Sequence, residues 1–274
     1  MRRNSLTATA LFALALSLGA AEVAPPAHAT APPAPTASCV DGNFFDGLDT
    51  RYSAAYCRDA LNAAGYSATA YGNTQANDVA ARLGSDGVFA HAGHALVVGS
   101  GNYSTAIASA FAGPTATTAL STGLLGDPTA ADFQGPAQVC NAGGSCRSVK
   151  LVNIPYESEM QKFNLAIFQS CNSARDGVQG YTSLMTVAAD TGKVGTAVGF
   201  VDEVAWITNA PGDNLAGDGF ARRFWGDLRS GRTYGSALVD AANVGGSQYG
   251  YLSYRMRHAS NAPTALRPAS YYVP

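Results

Sequence analysis

Two side chains capable of nucleophilic chemistry stand where apolar runs end. Cys171 closes Asn164-Leu165-Ala166-Ile167-Phe168-Gln169-Ser170-Cys171, and His94 closes Phe89-Ala90-His91-Ala92-Gly93-His94. An imidazole beside a thiol lowers its pKa or accepts its proton, and the imidazolium can later protonate a leaving amine. Such a pair is enough for acyl transfer. Both runs read as strands, and in an open parallel sheet reactive groups collect beyond the carboxyl ends of the strands. Neighbouring strands would therefore bring Cys171 and His94 together at one end of the sheet. His91 lies three residues before His94, points to the opposite face of an extended strand, and is expected to be structural.

The cysteine count supports singling out Cys171. The chain has five cysteines, Cys39, Cys57, Cys140, Cys146 and Cys171. An oxidising compartment favours pairing four of them. Cys140 and Cys146 bracket the small loop Asn141-Ala142-Gly143-Gly144-Ser145, which closes easily. Cys39 and Cys57 flank the first segment after the leader and would pin it to the first helix. Of the three connectivities open to four cysteines, Cys39–Cys57 with Cys140–Cys146 is the expected one, with Cys171 kept as a thiol. The bland alternative is a buried, inert Cys171 that behaves as a small apolar residue.

The elements that must position these residues alternate between strand and helix patterns, which predicts an α/β fold with a mostly parallel sheet flanked by helices. A helix pattern spans Thr50 to Gly65, a short strand Ser67 to Tyr71, and a second helix opens at Thr74 and runs to Leu83. Strands are predicted at Asp86–His91, Leu165–Ser170 and Thr196–Val201, with Ala95–Val98 extended after a turn. Thr182–Ala189 reads as a helix. Ala216–Arg229 is amphipathic, with Phe220, Phe224, Trp225 and Leu228 on one stripe expected to pack in the core. Thr233 is expected to cap a last helix over Gly235–Ala242.

The amino-terminal segment has the pattern of an export signal. Arg2 and Arg3 precede an apolar stretch from Leu6 to Ala21, and Ala27-His28-Ala29 offers a small-x-small cleavage site, with a cut after Ala21 as the alternative. The expected organisation is a signal peptide at 1–29, an Ala/Pro/Thr-rich linker at 30–38 and a single α/β domain at 39–274. Cleavage after Ala29 leaves 245 of the 274 residues and removes two arginines and one glutamate, moving the formal net charge from −2 to −3. No other stretch approaches the ~20 apolar residues of a membrane span. The expected product is secreted, with no membrane partner once the signal is removed. The chain has no basic run, so nucleic acid is not an expected partner.

Phe89-Ala90-His91-Ala92-Gly93-His94 resembles the apolar strand and Ser/Ala-Gly-His-Gly motif of metacaspases and CHAT-domain proteins, members of the caspase-like cysteine peptidase clan. Ala166-Ile167-Phe168-Gln169-Ser170-Cys171-Asn172-Ser173 is similar to the strand that carries the nucleophile in that clan. Gly195–Phe200, Phe224–Gly231 and Ala237–Ala241 resemble, in order, its glycine-rich strand, helix and Ala-rich helix. The resemblance covers about Asp86 to about Ala242. It implies a caspase-like three-layer sandwich and a cysteine endopeptidase acting through a Cys171–His94 dyad on a peptide or protein substrate, with no cofactor. It also implies an oxyanion site formed by backbone N–H groups of Ala95 and Cys171, although the family usually has Gly where this chain has Ala95. The position two residues before the nucleophile lines the substrate pocket in metacaspases, where it is Asp and favours Arg or Lys. Here it is Gln169, so a basic preference does not carry over.

Other chemistries fit the residues less well. His91, His94 and Cys171 are zinc-ligand types, but a strand splays the two histidines and the His-Glu-x-x-His helix motif is absent. Gly245-Gly246-Ser247-Gln248-Tyr249 and Gly143-Gly144-Ser145-Cys146-Arg147 both lack the final Gly of a nucleophile elbow. Val98-Gly99-Ser100-Gly101-Asn102-Tyr103-Ser104 lacks the third Gly of a dinucleotide loop and reads as a turn. The remaining alternative is a catalytically inactive caspase-like domain that binds a protein or cell-wall partner.

Overall fold

Strand runs with no polar alternation must be buried on both faces, and Val88–Gly93, Leu165–Gln169 and Thr196–Phe200 behave accordingly, each fully buried in the centre of a six-stranded sheet. The computed structural model describes side chains and backbone over most of 35–42, 50–72, 86–93, 165–171, 173–176, 183–191, 194–201, 216–249 and 252–266. It describes the backbone alone of the strands within 95–153. All of these residues belong to one compact unit, Pro33–Pro274.

In chain order the central sheet contains β1 (Thr36–Gly42), β2 (Ser67–Tyr71), β3 (Val88–Gly93), β9 (Leu165–Gln169), β10 (Thr196–Phe200) and β11 (Tyr254–His258), arranged β11-β10-β9-β3-β1-β2. Every neighbouring pair is parallel except β10 with β11. Between β3 and β9 the chain forms a second, five-stranded sheet. Its strands β4 (Ala95–Ser100), β5 (Tyr103–Ala108), β6 (Thr118–Ser121), β7 (Pro136–Cys140) and β8 (Cys146–Asn153) lie in the order β4-β5-β6-β8-β7.

Helices cover both faces of the central sheet, giving an α/β sandwich. On one face α1 (Arg51–Ala63), α3 (Ala216–Arg229) and α4 (Tyr234–Tyr249) share a core with Ala37, Cys39, Val88, Ala90, Leu165, Ile167, Val198 and Phe200. On the other face α2, a single turn at Leu184–Thr186 continued by a π-helical turn at Val187–Thr191, shares a core with Val40, Phe89, Ala166, Phe168 and Ala197. The strict alternation along each strand assigns odd and even positions to different cores.

Local sequence explains the helix limits. Helix α1 buries Ala54, Cys57, Ala60 and Leu61 and ends where Gly65 takes φ +89°, a conformation open to Gly without a Cβ penalty. The Asn62 side chain accepts from the Ala68 N–H at 2.9 Å, tying the helix end to β2. Cys39 and Cys57 form a disulfide with Cα atoms 5.9 Å apart, bolting α1 to β1. The α3 stripe is core, as expected: Phe220, Phe224 and Trp225 are buried, with Phe220 edge-on to Phe200 at 5.1 Å. Gly231 ends α3 with φ +87°, and Thr233 caps α4 by accepting the Ser236 N–H at 3.3 Å.

Three elements differ from the sequence reading. Strand β1 begins at Thr36, inside the segment expected as linker, because Ser38 buries its hydroxyl against the carboxylate of Asp86 across the sheet. Extended chain does continue at Ala95, but into the second sheet. Strand β11 carries only one fully apolar side chain, Met256, and its place beside β10 comes from backbone pairing, which pattern alone does not reveal. The expected helix Thr74–Leu83, the signal peptide at 1–29 and most of the 30–38 linker lie outside the described residues.

Candidate functional site

Strands β3 and β9 are adjacent and parallel, in the register Val88↔Leu165 through Ala92↔Gln169. Their carboxyl ends therefore fall at the same end of the sheet. Strand β1 joins them there, with Asp41 in register with Ala92. Asp41, Ala92 and Gln169 thus form one row across three strands, and all three are buried. Asp41 accepts the hydroxyl of Thr50, the residue before α1. This carboxylate escaped the sequence reading, because only the register aligns it with Gln169.

Cys171 lies just past the end of β9. Its thiol is not part of a disulfide, it is half-buried, and it packs against the core beneath α1, α3 and α4. Gln169 is 3% exposed. Ser170 is fully buried, and its hydroxyl has no hydrogen-bond partner among the described residues. His91 is buried too. The alternation that assigns Phe89 to one core and Val88 and Ala90 to the other sets His91 on the α2 face, away from the core that Cys171 contacts.

The turn that carries Cys171 is held by Ser173. Its hydroxyl donates to the carbonyls of Phe168 at 2.7 Å and Ser170 at 2.8 Å and accepts the Phe200 N–H at 2.9 Å. The Ala174 N–H donates back to the Phe200 carbonyl at 2.8 Å. One serine thus satisfies three backbone groups and fastens the turn to the end of β10. Close approach makes this possible. A Cβ on Gly199 would lie 3.0 Å from the Ser173 carbonyl carbon and oxygen and from the Ala174 Cβ, so only glycine lets β10 and the turn touch without a shift. The sequence offers Ser173 two residues after Cys171 as a signal, but nothing local marks Gly199.

Further along, Asp176 accepts the Ser183 N–H at 2.9 Å and the Thr186 hydroxyl at 3.0 Å, capping α2, and lies 3.8 Å from Arg255. Burial pushes its carboxyl up, but the backbone and side-chain hydrogen bonds from Ser183, the Thr186 hydroxyl and the Arg255 charge outweigh that. The net effect holds Asp176 below the ordinary carboxylate range.

Of the other expected site residues, His94 lies outside the described residues, directly after the end of β3. Ala95 opens β4 and is described by its backbone. Cys140 and Cys146 are register partners in the antiparallel pair β7–β8; their side chains lie outside the described residues. Among the described residues no group of three or more His, Cys, Asp or Glu side chains could hold a metal ion, and no helix is long and apolar enough to cross a membrane. Compared with protein-family models and with curated proteins, the chain matches none.

Proposed function

We propose that the protein is a secreted cysteine endopeptidase in which Cys171 is the nucleophile and His94 the general base. The observation that carries this reading is the parallel pairing of β3 with β9 in the register Ala92↔Gln169. Two residues beyond Ala92 in the chain is His94, and two beyond Gln169 is Cys171, so each follows the carboxyl end of one of two neighbouring parallel strands. Face alternation adds to it: residues 88 and 90 share a core with 165 and 167, and Cys171 packs against that same core. The Cys39–Cys57 disulfide fits an oxidising compartment, in which a cysteine kept as a thiol invites a chemical explanation.

In the proposed reaction His94 takes the Cys171 proton, and the thiolate sulfur attacks the scissile carbonyl carbon. The carbonyl π pair moves to oxygen, and backbone N–H groups of Ala95 and Cys171 donate to the oxyanion. Collapse breaks the C–N bond, and the His94 imidazolium gives its proton to the leaving amine. Water, deprotonated by the imidazole, then cleaves the thioester and returns the thiol. No cofactor enters. The row beneath Cys171, with Ala92 between Gln169 and Asp41, is the floor on which the substrate side chain next to the scissile bond would rest. The caspase-like architecture implied by the motifs belongs to this proposal.

The test is turnover of a broad peptide library by the mature protein, with the alkylation rate of Cys171 followed against pH. Cys171→Ala and His94→Ala should each remove cleavage while leaving the melting transition intact. The pH at which alkylation accelerates should rise in His94→Ala, because the thiolate loses its imidazole partner. A Cys171 that reacts no faster than a solution thiol, with no peptide cleaved after trial calcium and trial proteolysis, would sink the proposal.

A further inference from the structure

Strand β11 is the last strand at one edge of the central sheet, paired on one side with β10 and on the other with no strand among the described residues. Four of its five residues are exposed. An edge of this kind presents unused backbone donors and acceptors to solvent, and proteins commonly blunt it with charge. Here the charge is all of one sign and all on one face. Arg255 and Arg257 project to the α2 side, where they meet Asp176 at 3.8 Å and Asp190 at 3.3 Å. Both arginine side chains remain about half exposed, at 54% and 50%, and ion pairs that open to water contribute little and exchange readily.

The opposite face of the same strand is apolar. Met256 and His258, with Thr233, Tyr234, Gly235 and Thr264 at the start of α4 and beyond β11, line a cavity of about 260 Å³. That lies under the roughly 300–1,000 Å³ of small-molecule sites but is ample for one branched apolar side chain. The His258 ring is fixed by its Nδ1 contact with the Thr196 hydroxyl at 2.8 Å. Met256 is 38% exposed, one of three exposed large hydrophobic residues among those described.

We propose that β11 is a docking edge for an extended protein segment of acidic–apolar–acidic pattern. Such a segment would add as a further strand, its backbone pairing with β11. Alternate side chains of an added strand face alternate sides. The apolar residue would enter the cavity beside Met256, while the two flanking carboxylates would face Arg255 and Arg257. This division of labour, backbone bonds for affinity and alternate pockets for selectivity, is the logic of strand addition. A second copy of this chain is the wrong occupant. Pairing β11 with itself about Met256 would set arginine against arginine, and like charges opposite each other across strands are destabilising.

The proposal does not rest on the peptidase reading, and its test is run in Cys171→Ala so that turnover cannot consume the probe. A terminally blocked, fluorescein-labelled Thr-Glu-Leu-Glu-Thr peptide is titrated with the full mature protein at low salt, with polarisation as readout. Saturable binding is expected. It should weaken about tenfold in the double variant Arg255→Glu/Arg257→Glu, and a Lys-Leu-Lys probe should regain it with that variant. Replacing the probe leucine with glycine, or methylating its backbone nitrogens, should also weaken binding. Absence of saturation, indifference to charge reversal, or indifference to N-methylation overturns the proposal. So does sedimentation that finds a dimer the probe fails to dissociate. Thermal melts of each variant show that the exposed substitutions leave the fold intact.

Discussion

The two faces of the central sheet are covered by different means. On one face three helices of 13, 14 and 16 residues bury an aromatic and aliphatic cluster that includes Phe200, Phe220, Phe224, Trp225 and Tyr234. A disulfide fastens α1 to the strand below. On the other face the described cover is one short helical turn over a smaller cluster, together with polar groups that are buried and individually bonded, Ser38 with Asp86 and Ser173 with three backbone groups. The first face is held by volume, the second by single contacts. Loss of volume lowers stability wherever it occurs, whereas loss of one contact can move a particular turn. The turn that Ser173 holds carries Cys171, whose own side chain packs on the first face.

That contrast can be broken most forcefully on the helix side. Phe224 is fully buried, stacks on Phe220 with centroids 5.6 Å apart and meets Trp225 edge-on at 5.1 Å. Phe224→Ala should cost about 3–5 kcal/mol in denaturant unfolding, with the alkylation rate of Cys171 unchanged in the molecules that stay folded. A changed rate would show that the two sides are coupled.

The disulfide comes next. It closes a separation of 18 residues, and replacing both Cys39 and Cys57 by Ser should remove about 3 kcal/mol by the chain-entropy estimate. Mapping under non-reducing conditions should find Cys39 joined to Cys57 and Cys171 alkylated. Recovery of Cys171 in a disulfide would remove the nucleophile from the proposed function.

On the contact side, Gly199→Ala should be milder for stability and sharper for the site. The new Cβ would meet the Ser173 carbonyl at 3.0 Å, which forces the turn to move and costs about 1–3 kcal/mol. Because the turn begins at Cys171, the reactivity of that thiol should change by more than the Phe224 variant changes it. Equal effects of the two variants would end the distinction between the faces.

The smallest effect expected is a pH dependence at Asp176. Its folded pKa lies below the unfolded value. The stability it contributes is therefore complete above the ordinary carboxylate pKa and is lost as pH falls through the folded value. Asp176→Asn should flatten the acid side of the stability curve, with a small loss that is complete at neutral pH and vanishes once pH falls below the folded value, small because solvent screens the partly exposed group. A difference that grows towards alkaline pH would mean that another group is responsible.

Much of the fold was legible because local rules and the final structure agree. Unbroken apolar runs became the central strands, the Phe220/Phe224/Trp225/Leu228 stripe became the buried face of α3, and Thr233 capped the next helix. The pairing of Cys39 with Cys57 was readable from their positions around the first helix. That Cys171 follows a buried strand was also readable, as a residue type at the end of a periodic run. Outside that reach lay whatever depends on which strands become neighbours. The sequence by itself determined that Cys171 ends one buried strand and His94 follows another, because side-chain burial and period are local properties. Only the tertiary structure decided that β3 and β9 pair in parallel at the register Ala92↔Gln169, that Asp41 joins their row, and that Gly199 must lack a side chain to admit Ser173. Pairing and close approach are relations between segments far apart in the chain, and no residue records locally which backbone will lie against it.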